Sequence, residues 1–275
     1  MKPVVREIVA KTVLNRSSLG DYSLNCYGGC QHACVYCYAR FMQRFHPHAE
    51  AWGGYVDVKV NAPEALIKQL RRAEPGGVFV SSACDAYQPL EKERRLTRRS
   101  AEILMQYGFE VHVLTKGALV LEDIPMYAAG RRARIGVTIT TLDEETARVW
   151  EPHASSVAKR VEVLRAAKAA GLPTAVMFGP LLPGVSDDEA SIDGLMKLAA
   201  DLDIDLIWTD ALNPRPKVWE SVSALLRRRH PNLFGLYKRV LFNSESREAY
   251  LAVLRRRIRA AASHHRISGR VEGCP

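Results

Sequence analysis

The chain has 275 residues, of which 47% are hydrophobic and 25% charged, and its formal net charge is +9, as expected for a globular protein with one large core or two smaller ones. No stretch approaches the roughly 20 apolar residues of a transmembrane helix, and residues 1–18 lack the apolar core of a signal peptide, which argues against an integral membrane protein. We therefore expect a cytoplasmic protein with no membrane partner, whose thiols stay reduced.

Six short β-strands are predicted to alternate with helices, after an irregular N-terminal segment over residues 1–21. Each strand segment is rich in Val, Ile, Thr or aromatic residues and is bounded by Gly, Pro or charged residues. The predicted strands span residues 22–27, 77–83, 109–116, 134–141, 173–180 and 205–212. The predicted helices between them span residues 34–45, 63–73, 95–107, 118–129, 157–170 and 188–201.

This alternation predicts an α/β fold, a partial (β/α)6 TIM-like barrel. Successive β-α units give parallel strands joined by right-handed crossovers. No glycine-rich nucleotide-binding fingerprint follows the first strand, which favours a barrel over a Rossmann sheet. In such barrels the chemistry takes place at the carboxyl ends of the strands. Cys84 and Lys116, which end successive predicted strands, should therefore face the same rim.

The C-terminal part of the chain is predicted to be a helical extension that carries the positive charge. Its predicted helices span residues 217–229, 233–241 and 246–262. Residues 215–275 hold 14 basic and four acidic residues, a net charge of +10. Because arginine binds phosphate groups well, DNA or RNA is a predicted partner of this segment. The alternative is that the charges form solvated faces of amphipathic helices.

We see no internal repeat or low-complexity linker, so the chain is predicted to form a single domain. Within it we distinguish three parts by their pattern. These are the N-terminal segment (1–21), the partial barrel (22–214) and the basic helical extension packed on the barrel (215–275).

Four of the six cysteines fall within twelve residues, in the stretch CYGGCQHACVYC (26–37). Thiolates are soft ligands that suit zinc and iron–sulfur clusters, and this crowding argues against a disulfide framework. Structural zinc sites usually draw on two separated ligand pairs, whereas this stretch has a single CxxC pair, Cys34 and Cys37, with Cys30 four residues before it. Because Cys26 is close in sequence, a compact four-thiolate zinc site is an alternative.

The spacing Cys30-x-x-x-Cys34-x-x-Cys37, in a loop after the first barrel strand, resembles the radical SAM superfamily. The resemblance implies that these three cysteines hold a [4Fe–4S] cluster, with one iron open to S-adenosylmethionine (SAM). It implies that one electron cleaves SAM to methionine and a 5′-deoxyadenosyl radical, which abstracts a hydrogen atom from the substrate. It also implies an electron donor such as flavodoxin or ferredoxin.

Further segments resemble the spore photoproduct lyase-like branch, whose members are often labelled DNA repair photolyases. They are GCQHACVYCYAR (29–40), DAYQPLEKERRLTRR (85–99), VTITTLDEETARVWEPHASS (137–156), GPLLPGVSD (179–187) and ALNPRPKVW (211–219). This resemblance implies repair of a thymine lesion in DNA, completed by a hydrogen atom from a cysteine thiol. The alternatives are a radical enzyme that modifies a peptide or small metabolite, and a non-enzymatic zinc-binding nucleic-acid module.

The same resemblance implies catalytic roles for three residues. Tyr36 precedes the last motif cysteine, where the superfamily usually has an aromatic residue that faces the SAM adenine. Tyr38 completes a Tyr-Cys-Tyr pattern tied to hydrogen transfer in the lyase, and packing of the loop is the alternative for both tyrosines. Cys84 lies in the region of the lyase's hydrogen-donor cysteine, although its context SSACDAYQP differs. A small buried apolar side chain is the alternative for Cys84.

The remaining predicted SAM contacts come from later strands and the helices after them. Lys116 resembles a lysine that pairs with the methionine carboxylate. A hydroxyl of Thr138 or Thr140 would contact the same ligand. Glu151 and Arg160 would add polar contacts, or else form a structural ion pair. Cys26 occupies a position where relatives often have proline, and we do not expect it to be a ligand.

Overall fold

The computed structural model describes residues 3–45, 47–213, 215, 217–273 and 275, and contains ten strands and ten α-helices within those residues. The strands are β1 (Val4–Ile8), β2 (Leu14–Arg16), β3 (Tyr22–Leu24), β4 (Tyr27–Gly28), β5 (Tyr55–Lys59), β6 (Gly77–Val80), β7 (Glu110–Thr115), β8 (Ala133–Thr138), β9 (Thr174–Leu181) and β10 (Leu206–Ala211). The helices are α1 (Ala62–Leu70), α2 (Glu91–Arg94), α3 (Leu96–Gln106), α4 (Ile124–Gly130), α5 (Glu144–Trp150), α6 (Val157–Ala169), α7 (Glu189–Asp201), α8 (Val218–Arg229), α9 (Phe234–Phe242) and α10 (Ser244–His264). Short 3-10 helices span Tyr38–Arg44, Ala118–Asp123, Pro231–Leu233 and Ser268–Arg270.

Six parallel strands form the predicted partial barrel. Strands β3, β6, β7, β8, β9 and β10 lie side by side in chain order. Strand β2 pairs antiparallel with β3 at one edge of this sheet. At the other edge Val271 bridges in parallel to Ile207 of β10, so the C-terminal end of the chain covers that edge. The described part of the sheet does not close, which confirms a partial TIM-like barrel.

The central strands bury apolar side chains at alternate positions. In β7, Val111 and Val113 are almost inaccessible, and in β8 the same holds for Ile135 and Val137. Such short segments rich in β-branched residues were recognisable in the sequence.

The N-terminal segment is not irregular, so that prediction was wrong. Strand β1 pairs in parallel with β5, and β4 pairs with the other side of β5 to complete a second, three-stranded sheet. The first predicted strand (22–27) therefore divides between two sheets. The residues of β1 are largely exposed, so no alternation of apolar and polar positions marks it as a strand.

Two other local predictions need correction. The predicted helix at 34–45 is a loop followed by a 3-10 helix that begins at Tyr38, because the motif cysteines shape the chain before it. Helix α5 was not predicted, since its seven residues are too short for a clear periodic pattern. It has an N-cap at Asp143, whose side chain accepts a hydrogen bond of 2.7 Å from the backbone N–H of Thr146.

The three helices of the C-terminal extension lie within two residues of their predicted bounds and pack on the barrel. Leu254 and Ile258 of α10 are fully buried in the main core, and α10 contacts α7. A second, smaller core contains Cys34 and Trp150 together with Tyr237 of α9. The extension therefore packs beside the cysteine loop. Among the described helices, none is both long enough and apolar enough to cross a bilayer.

Candidate active site

The three motif cysteines lie in one tightly wound loop between β4 and the 3-10 helix at Tyr38. Cys30 and Cys34 are buried, Cys37 is half-buried, and all three are free thiols. The loop turns twice, through hydrogen bonds of 3.3 Å to the carbonyl of Cys30 and 3.2 Å to that of Cys34. Ala33 adopts a left-handed φ of 55°, and a side chain at Gly53 would collide with it. The neighbouring backbone therefore constrains the loop closely.

Burial raises the pKa of these thiols, so they stay protonated unless a nearby positive charge stabilises the thiolate. It raises the pKa of Cys34 to about 12, even though Lys116 opposes the shift. Burial also raises the pKa of Cys30 well above its usual value, with further contributions from Asp85 and from Cys34 and Cys37. A metal centre provides the charge that stabilises neighbouring thiolates. Three free and mutually interacting thiols, two of them on buried residues, thus fit an iron–sulfur cluster.

Gln88 anchors the cysteine loop from the segment after β6. Its side-chain amide donates to the carbonyl of Gly29 at 3.3 Å and accepts from the backbone N–H of Gln31 at 2.9 Å. The side chain of Gln31 in turn accepts from the backbone N–H of Leu90 at 2.6 Å. Gln88 therefore ties the cysteine loop to the barrel.

Asp85 joins the same loop to the end of β7. One carboxylate oxygen lies 3.3 Å from Nδ1 of His32. The carboxylate also accepts hydrogen bonds from the Thr115 hydroxyl at 2.5 Å and from the backbone N–H of Lys116 at 2.8 Å. Burial alone would raise the pKa of Asp85, but His32 and these donors outweigh it and hold the pKa well below the usual range. Asp85 is therefore a buried anion that connects the loop to the predicted rim.

Tyr36 is buried in a network formed by residues from three later segments. Its hydroxyl donates to Glu151 and lies 3.0 Å from the hydroxyl of Thr140. The Thr140 hydroxyl is also 3.0 Å from both Glu151 and the carbonyl of Gly179. The structure thus brings Tyr36 together with Thr140 and Glu151, each of which lies more than a hundred residues after it in sequence.

Glu151 and Arg160 form a buried ion pair whose side chains are 0% and 2% exposed. Arg160 also donates to the carbonyls of Thr138 and Ser155, each at 2.9 Å. Burial raises the pKa of Glu151, but the positive charges of Arg160 and Lys116 outweigh it and lower the pKa. This arrangement favours the ion-pair interpretation, because both charged groups are already paired. Thr138 takes part through its backbone carbonyl.

Lys116 directly follows β7, and its ammonium lies 5.7 Å from the centre of the Tyr36 ring. Burial lowers its pKa, but Cys34 and Glu151 outweigh that effect and raise it. The side chain therefore stays protonated. Its positive charge lies between the cysteine loop and the Tyr36 network, in a position suited to a ligand carboxylate.

Tyr38 contacts the segment 81–84, which contains Cys84 and lies beside the cysteine loop. The thiol of Cys84 is half-buried and lies 3.5 Å from the carbonyl of Tyr27, and it packs against the group that contains Cys30. Burial raises its pKa to about 12, so the thiol is protonated. The hydroxyl of Tyr38, which is 44% exposed, donates to the carbonyl of Ser82.

Cys26 has a different environment from the motif cysteines. It is 1% exposed and belongs to the main barrel core, where its sulfur lies 3.5 Å from the Ser100 hydroxyl of α3. Burial raises the pKa of this thiol to about 12. Its contacts are those of a core side chain.

Comparison with known proteins gives a match to one family model and to several uncharacterised relatives. Residues 24–193 match the family model of the radical SAM superfamily. An uncharacterised protein of Methanocaldococcus jannaschii is 34% identical over 185 residues, which cover 66% of this chain and 70% of that protein. An uncharacterised protein of Acidianus two-tailed virus is 30% identical over 238 residues, which cover 82% of this chain and 78% of that protein.

The fold is also that of solved structures. A mutant of spore photoproduct lyase with bound AdoMet and dinucleoside spore photoproduct superposes with a TM-score of 0.71 at 14% identity, covering 98% of this chain and 82% of that one. Methylornithine synthase gives a TM-score of 0.53, also at 14% identity, over 99% of this chain and 72% of that one. At these identities the likeness concerns the fold. The chain belongs to the radical SAM superfamily, whose enzymes use a [4Fe–4S] cluster and SAM, the cofactors that the cysteine spacing led us to expect.

Proposed function

We propose that this radical SAM enzyme cleaves SAM reductively and uses the 5′-deoxyadenosyl radical to take a hydrogen atom from its substrate. The observation that carries the proposal is that three free cysteines, two of them buried, lie together with Tyr36 and Lys116. Cys30, Cys34 and Cys37 hold the cluster, which when bound supplies the electron that breaks the sulfonium C–S bond.

The chain's own residues bind and orient SAM. The Lys116 ammonium pairs with the SAM carboxylate. Tyr36, fixed by Glu151 and Thr140, presents its ring to the adenine. Arg160 holds Glu151 in place, so it acts through Tyr36 and is a positioning residue. The buried surroundings of these groups exclude water from the reaction.

As the substrate we propose a thymine lesion in DNA. The fold shared with spore photoproduct lyase and the positive charge of the extension support this choice. Cys84 is the hydrogen donor, because it is a protonated thiol beside the cysteine loop. Tyr38 donates a hydrogen bond to the carbonyl of Ser82, two residues before Cys84, and this proximity supports a role for Tyr38 in returning a hydrogen atom to the Cys84 sulfur.

The test is an anaerobic assay of the reconstituted enzyme with dithionite and SAM, followed by chromatography for 5′-deoxyadenosine. We run it with and without an oligonucleotide that carries a spore photoproduct. Radical formation together with loss of the lesion supports the whole proposal. Formation of 5′-deoxyadenosine with the lesion intact would reject the DNA substrate, and its absence under both conditions, with cluster and SAM bound, would reject the radical chemistry.

Replacing Cys84 with alanine should separate radical formation from repair. We expect Cys84→Ala to form 5′-deoxyadenosine on lesion-containing DNA but to yield little repaired thymine, because the substrate radical finds no S–H donor. Chromatography of the digested oligonucleotide measures this outcome. Cys26→Ala is the matched control, since it also removes a buried thiol but leaves the donor in place. Normal repair by Cys84→Ala would exclude the donor role.

The basic residues of the extension divide into two groups. Some hold the fold together. Arg247 donates to the carbonyl of Leu212, Arg257 to that of Asp187 and Arg270 to that of Ile204. Others are exposed to solvent, among them the adjacent Arg228 and Arg229 at the end of α8. The exposed group is the part that we propose contacts phosphates.

Replacing Arg228 and Arg229 with serine should weaken DNA binding and its dependence on salt. Each lost phosphate contact lowers the slope of log affinity against log salt by about one, so we expect a decrease of up to about two. Fluorescence anisotropy over a range of salt concentrations measures the slope. Replacing Arg71 and Arg72 with serine is the control, because these arginines are also adjacent, exposed and at the end of a helix. An equal effect in both variants would argue against a specific surface.

A further inference from the structure

Two adjacent histidines and one aspartate converge on a single point between the barrel and the extension. Asp193 lies on α7, His264 ends α10, and His265 follows directly. One oxygen, Oδ1 of Asp193, lies 3.1 Å from Nδ1 of His264 and 2.9 Å from Nε2 of His265. All three potential ligand atoms lie within 4.8 Å of one another. The group is distant in sequence from the cysteine loop and shares no residue with it.

The local backbone explains why two neighbouring side chains reach one carboxylate. Along a helix, successive side chains point about 100° apart, because 3.6 residues make one turn. Here the helix ends at His264, and Arg266 adopts a left-handed φ of 60°, so the chain turns away immediately after the pair. The two rings, with centroids 4.6 Å apart, can therefore both face Asp193.

From this geometry we infer that Asp193, His264 and His265 bind a zinc ion that clamps α10 to α7. In a tetrahedral zinc site with bonds of 2.0–2.1 Å, the ligand atoms lie roughly 3.3 Å apart, which is close to both separations to Oδ1. Two imidazoles with one carboxylate suit zinc, whereas calcium and magnesium require more oxygen ligands.

The surroundings leave a place for the fourth ligand. Asp193 and His264 open onto a surface groove that Glu189, Arg256 and Arg257 also line. Because this groove is open to solvent, a water molecule would complete the coordination. Of the two arginines, Arg257 donates to the carbonyl of Asp187 at 2.8 Å.

The clamp would stabilise the attachment of the extension to the barrel. Helices α7 and α10 already contact each other, and both contribute buried apolar side chains to the main core, among them Leu195 and Ile258. An ion that binds only the folded arrangement adds stability in proportion to the logarithm of its concentration over its Kd. Zinc should therefore raise the unfolding temperature without being needed for SAM cleavage.

The test is a zinc titration of the anaerobically reconstituted protein, in which the motif cysteines are already occupied by the cluster. Equilibrium dialysis with elemental analysis should find one zinc per chain in addition to the cluster iron. Asp193→Asn and the double variant His264→Ala/His265→Ala should weaken zinc binding by at least about tenfold. Even residues that only hydrogen-bond to metal ligands change metal affinity by about that factor when they are replaced. His230→Ala, which removes a histidine just after α8, is the control and should bind zinc as the unaltered protein does.

Unfolding temperatures provide the second measurement. Zinc should raise the unfolding temperature of the unaltered protein and of His230→Ala, but not that of Asp193→Asn or the double variant. In the presence of EDTA all four proteins should unfold at similar temperatures, because the altered side chains lie at a surface groove. The inference is overturned if the unaltered protein binds no zinc at a concentration of about 100 μM, which would mean a Kd well above that value. It is also overturned if the double variant binds zinc as well as the unaltered protein does.

Discussion

Replacing Cys34 with alanine should abolish the formation of 5′-deoxyadenosine from SAM. Cys34 is buried, and burial raises the pKa of its thiol although Lys116 opposes this shift. The thiolate therefore needs the positive charge of the bound cluster to be stable. Loss of one of three ligands leaves no arrangement that holds the cluster and also keeps one iron open for SAM. Iron and acid-labile sulfide should fall together with activity. The same result is expected for Cys30→Ala and Cys37→Ala.

Cys26→Ala is the decisive control for this prediction. It removes a cysteine only four residues before Cys30, yet its sulfur contacts Ser100 in the main core. We expect a small loss of stability, a normal iron content and normal cleavage of SAM. A variant that keeps its fold but loses the cluster would show that Cys26 is a ligand. Zinc without sulfide in the unaltered protein would instead support a four-thiolate zinc site.

The barrel could be predicted from the sequence because its strands have a local signature. Strands such as β7 and β8 are short segments rich in Val, Ile, Leu or Thr that are bounded by glycine or charged residues. The cysteine motif could be recognised for the same reason, since all three of its cysteines lie within eight residues. By contrast, β1 is exposed and marginal by itself, and it becomes a strand only because β5 pairs with it.

The rest of the site depends on contacts that no local pattern encodes. Gln88 binds the cysteine loop across 57 and 59 residues of sequence, and Tyr36 meets Glu151 across 115. A hydrogen bond between such distant residues requires the finished barrel, which brings the strand ends to one rim. The zinc group has the same origin, because His264 and Asp193 are 71 residues apart.

Breaking the ion pair of Glu151 and Arg160 should destabilise the protein and weaken SAM binding. Glu151→Ala would leave the Arg160 guanidinium buried without its counter-charge, and breaking a buried pair in this way costs about 3–5 kcal/mol. That is a large part of the roughly 5–15 kcal/mol by which a folded domain is stable. The midpoint of urea unfolding, measured anaerobically, should therefore fall sharply. SAM affinity should fall as well, because Tyr36 loses the carboxylate that orients its ring.

The pH dependence gives a further check on this pair. The pKa of Glu151 lies below the ordinary value of 4.5 in the folded protein, so the carboxylate contributes its stability above that value and loses it as the pH falls through the folded pKa. The difference in stability between the unaltered protein and Glu151→Ala should therefore be greatest near neutral pH and should shrink on acidification. A difference that grew at low pH would contradict an ionised Glu151.

A double variant separates the cost of an unpaired charge from the value of the pair. Glu151→Leu/Arg160→Leu removes both charges, and replacing a buried pair with apolar side chains is often neutral. It should be more stable than Glu151→Ala, but less stable than the unaltered protein, because the carbonyls of Thr138 and Ser155 lose their donor. Its SAM affinity should stay low, since the carboxylate that holds Tyr36 is still missing. Recovery of stability without recovery of SAM binding would identify the pair as the support of the tyrosine, whereas recovery of both would mean that Tyr36 is positioned by Thr140 alone.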